Sequence, residues 1–119
     1  MADQINPRRE YPRYDTDVSA QLTSAAMTIA VRMLSVSAGG ALVRMDRLSA
    51  KVFDDTHFVL EIHGIGRFSA SKKWRRDTDI GTKFELSDSD RIRLASRLDD
   101  RFGARRPSSV RLTTSSPQT

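Results

Sequence analysis

The chain of 119 residues has no cysteine, so disulfide staples and thiolate-held metal centres are excluded. It has no apolar run long enough to cross a bilayer, and nothing near its N-terminus reads as a signal peptide. A cytoplasmic protein without membrane insertion is therefore the expectation. The length allows one domain with a modest core. Histidine occurs only at His57 and His63. Within one strand these would face the same side, but six residues at ~3.3 Å each set them about 20 Å apart. That is too far to share an ion, so no metal site is expected.

Surplus charge is also scarce where a fold would form. The net charge is +5, which by itself invites a nucleic-acid reading. Three arginines against Asp3 and Glu10 leave +1 in residues 1–13, and Arg105, Arg106 and Arg111 put +3 into residues 103–119, so 14–102 carries only +1. Charge alone thus gives no basic face for a polyanion, and nucleic acid is not an expected partner. Catalytic constellations are missing too. The serines lack a base with an orienting partner, and the neighbours Asp54-Asp55 and Asp99-Asp100 point different ways. Gly64-Ile65-Gly66 lacks the rest of a dinucleotide fingerprint. No enzyme, catalytic residue or cofactor is assigned.

What is present is alternation. Val18, Ala20 and Leu22 alternate with polar residues, as do Ile29, Val31 and Met33, and Phe58, Leu60 and Ile62; each set fits a half-buried strand. Thr23-Ser24-Ala25-Ala26 and Asp77-Thr78-Asp79 read as turns. Gly39-Gly40 reads as a hairpin turn between two apolar runs, because glycine reaches positive φ without a Cβ clash. Residues 46–56 are mixed. Further strands end near Trp74 and run from Ile80 to Leu86. The period then changes. Ser87 is a good N-cap; Leu94, Leu98 and Phe102 follow at helical spacing with Ile92 and Ala95 beside them, and Gly103 suits the C′ position. Several short strands and one terminal helix argue for a small antiparallel barrel or sandwich. Residues 1–13 read as a flexible leader, 14–102 as the folded domain, and 103–119, rich in Ser, Thr, Pro and Arg, as a disordered tail.

Two polar stretches stand out from this frame. Pro7-Arg8-Arg9-Glu10-Tyr11-Pro12-Arg13-Tyr14 places Arg9 and Arg13 at R-x-x-x-R spacing on a segment that its prolines keep out of a helix. Guanidinium groups displayed in this way bridge phosphates, fork onto guanine or stack on a base. Ser35-Val36-Ser37-Ala38-Gly39-Gly40 joins the two central apolar runs. Together with Lys73-Trp74-Arg75-Arg76, Ile80-Gly81-Thr82-Lys83-Phe84 and the closing helix from Asp88 to Phe102, these resemble the PilZ family, in order and in spacing, over roughly residues 8 to 102.

The resemblance implies a mainly β fold: a six-stranded antiparallel PilZ-like barrel with one C-terminal α-helix. In that family an R-x-x-x-R and a later D/N-x-S-x-x-G bind cyclic di-GMP. It implies that Arg8, Arg9 and Arg13 clamp this ligand, that Ser35 and Ser37 lie beside it, that Gly40 allows close backbone approach, and that Trp74 lines the site or packs on the barrel. The chain would signal to a protein partner as the arginine segment becomes ordered on the ligand. One residue departs from the pattern: Ser35 stands where the family has Asp or Asn. A hydroxyl reaches less far than a carboxylate, and one lost charge-assisted bond costs about 1.5–3 kcal/mol. The alternative is therefore a degenerate PilZ adaptor that binds protein and no nucleotide. A single-stranded nucleic-acid barrel is a more distant rival, opposed by the near-neutral charge of residues 14–102.

Overall fold

The structure, a computed structural model, describes residues 11–103. Arg8 and Arg9, and the tail expectation from residue 104 onward, lie outside the described residues. Six strands form a closed barrel: β1 (Tyr14–Thr23), β2 (Thr28–Ser37), β3 (Gly40–Arg44), β4 (His57–Ile62), β5 (Gly66–Arg76) and β6 (Asp79–Phe84). Their order around the barrel is β1-β2-β3-β6-β5-β4, with β4 closing onto β1, and every pairing is antiparallel. This is the mainly β barrel with a C-terminal helix that the resemblance implies.

Alternation builds the core. Leu22, Val31, Met33, Val43, Leu60, Ile62, Ile80 and Phe84 point inward and are buried, while their strand neighbours face out. Three one-residue irregularities interrupt the alternation. One lies in β1 between Asp15 and Val18, one at Leu34 between Met33 and Ser35, and one at Lys73 between Lys72 and Trp74. A bulge adds a residue to one strand and re-aims the side chains beyond it. After Leu34, Val36 is again inward and only 1 % exposed.

Two helices complete the described residues. Residues 46–56, read as mixed, contain a short helix, α1 (Arg47–Val52), which Asp46 caps by accepting from Ser49 N at 2.7 Å. Arg75 on β5 donates to the carbonyls of Ala50 and Phe53 at the other end of α1. The second helix, α2 (Asp88–Phe102), starts at Ser87, whose hydroxyl accepts from Asp90 N at 3.2 Å. Leu94, Leu98 and Phe102 are buried. Ile92, expected beside them, is 61 % exposed. Two residues at 100° each put it about 200° from Leu94, on the far side of the helix.

The glycine expectation is corrected at the β2–β3 turn. The positive-φ glycines are Gly64 and Gly66, in the β4–β5 turn, and not Gly39 or Gly40. Gly40 is required for a different reason: a Cβ there would lie 2.0 Å from the carbonyl oxygen of Thr82. Close approach of β3 and β6, rather than backbone handedness, excludes a side chain.

Candidate functional site

The outer face of β3, β6 and β5, with the end of β2 and Arg13 just ahead of β1, forms a groove of about 490 Å³, within the ~300–1,000 Å³ typical of small-molecule sites. It is lined by Arg13, Ser35, Ser37, Gly40 and Trp74, the five described residues of the expected site. Two sequence-distant hairpins bring them together. The β2–β3 hairpin supplies Ser35 and Ser37 from the end of β2 and Gly40 from the start of β3. The pairing Gly40–Lys83, Ala41–Thr82 and Leu42–Gly81 sets β6 beside them, and Trp74 on β5 pairs with Gly81.

Each side chain has a local cause for its position. Ser37 Oγ accepts from Gly39 N at 3.1 Å, which fixes the turn and leaves the hydroxyl hydrogen free to donate. Phe84 N donates to Gly39 O at 3.0 Å, fastening the turn to the end of β6. Ser35 neighbours the inward Val36 and so faces outward, yet it is only 6 % exposed. Its hydroxyl has no hydrogen-bond partner among the described residues. A buried, unsatisfied hydroxyl costs about 1–3 kcal/mol, and one at a groove wall is positioned to bond a ligand or a water. Trp74 remains 45 % exposed. Its indole lies against the backbone of β6, because Gly81 has no side chain to hold it off. Packing on the strand and lining the groove are therefore two faces of one placement.

The groove also gathers Lys73, Lys83 and Arg91, which the expected site omitted. Lys83 follows Gly81 by two residues, so alternation along Ile80–Phe84 could have placed it on the outer face. Lys73 could not be found that way, since the bulge sets it beside Trp74 on the groove. Arg91, on α2, donates to the carbonyls of Ala38 at 3.2 Å and Leu86 at 3.1 Å, so it ties the helix to the turn while adding its charge. Arg75, within the same basic run, leaves the groove for α1. Among the described residues four cations line the groove, and no carboxylate does. Low-dielectric walls lined by one sign of charge concentrate anions. The arrangement can hold a compact anion with a flat ring: cations for phosphate, an exposed indole for stacking, and hydroxyls and backbone for hydrogen bonds.

The described residues contain no group of three or more His, Cys, Asp or Glu that could hold a metal ion. No described helix is long and apolar enough to cross a membrane.

Comparison with known proteins agrees with this architecture. A search of the curated proteins finds no match. Among solved structures, the chain is similar to the PilZ domain with c-di-GMP of YcgR from Escherichia coli, with TM-score 0.60 and 14 % identity over 87 % of this chain and 99 % of that one. It is similar to the PilZ domain of CeSA from a cellulose-synthesizing bacterium, with TM-score 0.57 and 16 % identity over 73 % and 93 %. It is also similar to the Bacillus subtilis inhibitor of motility MotI/DgrA, with TM-score 0.53 and 19 % identity, covering 81 % of this chain and 51 % of that one. At these identities the likeness is one of fold. The sequence itself matches the model of the PilZ domain over residues 7–100, and the chain thus belongs to the PilZ domain family, a family of cyclic di-GMP receptors.

Proposed function

We propose that this chain binds cyclic di-GMP in the groove and passes the signal to a protein partner. The observation that carries the reading is the convergence of Arg13, Ser35, Ser37, Gly40 and Trp74 on one groove whose described lining has cations and no carboxylate. Cyclic di-GMP presents two phosphodiesters and two guanines, so its receptor needs cations and planar groups close together. Arg13, Lys73 and Lys83 meet the phosphates, and Trp74 offers a face to a base. Arg8 and Arg9 precede Arg13 closely enough to fold over the same ligand. In this mechanism their attachment reshapes the surface beside the groove, and the partner reads that change.

A second reading, an adaptor without nucleotide, is favoured by one observation: Ser35 occupies the place of the family's Asp or Asn. Titration calorimetry with cyclic di-GMP separates the two. The receptor binds, and Arg9→Ala and Arg13→Ala each weaken binding by at least tenfold, because each removes a charge-assisted contact. Arg13→Lys also binds poorly, since an ammonium lacks the planar fork. Absence of binding by the wild-type chain selects the adaptor.

A further inference from the structure

Among the described residues no acid lines the groove, yet one stands at its edge. Asp15 follows Arg13 by two residues and lies on the outer face of β1. In the β1–β2 register Asp15 is the direct partner of Ser35. Directly paired residues have Cβ atoms about 4.5–5.5 Å apart on the same face of a sheet. Asp15 therefore adjoins two groove-lining residues, one along the strand and one across it. It is exposed, and its carboxylate has no hydrogen-bond or ion-pair partner among the described residues. Two other acids on the barrel wall, Asp17 and Asp79, are engaged with Arg32 and Arg44, and neither is paired with a groove residue as Asp15 is.

We propose that Asp15 is the guanine-reading acceptor of this site, taking the part that a carboxylate at position 35 would otherwise play. This rests on the cyclic di-GMP reading above and deepens it. Guanine presents two adjacent donors, N1–H and the N2 amino group, and a carboxylate's two oxygens accept both. Adenine presents an acceptor at N1 beside its N6 donor, so a carboxylate facing it meets a lone pair. Ser35 offers a single oxygen that can either accept or donate, so it cannot discriminate in this way. Ser35 is short and Asp15 is its direct cross-strand partner, so the longer, exposed Asp15 side chain can reach the groove edge beside it. Selectivity for guanine then resides across the β1–β2 pair instead of within the β2–β3 turn.

The experiment is titration calorimetry at one salt concentration, with cyclic di-GMP and cyclic di-AMP, on the full chain. Wild type, Asp15→Ala and the double variant Asp15→Ala/Ser35→Asp are compared after circular dichroism confirms their folding. Asp15→Ala should weaken cyclic di-GMP binding about ten- to a hundredfold and leave cyclic di-AMP binding within about twofold, so that base discrimination collapses. The double variant should recover at least tenfold of the lost cyclic di-GMP affinity. If Ser35→Asp does not fold in that background, Ser35→Asn, which adds no buried charge, takes its place. Asp15→Ala binding cyclic di-GMP within about twofold of wild type overturns the proposal. So does an equal loss for both dinucleotides, which marks a general effect of charge or structure. A wild-type chain that binds neither dinucleotide overturns the receptor reading itself, an outcome distinct from both.

Discussion

At position 81 a Cβ would sit 2.2 Å from Nε1 of Trp74, so the placement of the chain's single tryptophan depends on a glycine across the strand pair. Gly81→Ala should drive the indole off β6 toward water. Because there is one tryptophan, its emission reports this site alone: the maximum should move to the red and the groove should lose its flat wall. An unchanged emission spectrum would show that the ring does not rest on Gly81. Some of this residue-scale detail was legible in the sequence. Ser35, Ser37, Gly40, Trp74 and Arg13 came from motif order. The reason for Gly40 did not, because a steric limit set by Thr82, 42 positions later, leaves no local mark. Lys73 was legible as a basic residue and not as a groove residue, since one inserted residue in a ladder changes no composition.

Strand β6 shows how a whole element serves the site. Ile80 and Phe84 face the core and are fully buried. Between them Gly81 accepts the indole and Lys83 lines the groove. Thr82, buried at 4 % exposure, bonds twice to its neighbour: its Oγ1 accepts from Ala41 N at 3.1 Å and donates to Ala41 O at 3.0 Å. Thr82→Val keeps the shape and removes both bonds, leaving buried backbone groups of Ala41 without them. The expected loss is about 1–3 kcal/mol, read by urea unfolding; a loss below about 0.5 kcal/mol would mean that Ala41 finds other partners. The strands were legible because period-two alternation reports burial directly. The short helix α1 was not. Six residues give too little length for a 3.6-residue period, and its large apolar residues, Leu48 and Val52, are exposed at 77 % and 66 %. Asp46 was the available signal, as an N-cap, and Arg75, which holds the other end, lies more than twenty residues downstream.

Over the whole molecule, even charge totals conceal uneven placement. Residues 14–102 carry only +1, yet the groove collects cations while several acids pair elsewhere, as at Asp17–Arg32 and Asp79–Arg44 on the wall and Asp90–Arg93 on α2. Which acid meets which base depends on register, so the sum could not reveal the groove. The pairing also sets the response to acid. The hydrogen bond from Arg44 holds Asp79 below its ordinary pKa, and the bonds from Ser49, backbone first, do the same for Asp46. Groups with lowered folded-state pKa stabilise above the unfolded value and lose that contribution as pH falls through the folded one. The melting temperature should therefore be level between about pH 7 and pH 5 and decline below about pH 4. The decline should be modest, because Asp46 is exposed and Asp79, half-buried, pairs with an exposed arginine, and shallower in Asp79→Asn; an identical acid limb in that variant would remove Asp79 from the account. The seam between β3 and β6 has a kinetic meaning as well. It joins residues such as Ala41 and Thr82, 41 positions apart, and contacts of that separation form late and slowly in a folding chain. The groove straddles this seam, so a chain holding only its separate hairpins offers no site. A ligand at a hundred times its Kd then adds about 2.7 kcal/mol to the completed barrel and nothing to its parts, which makes ligand occupancy a brake on unfolding.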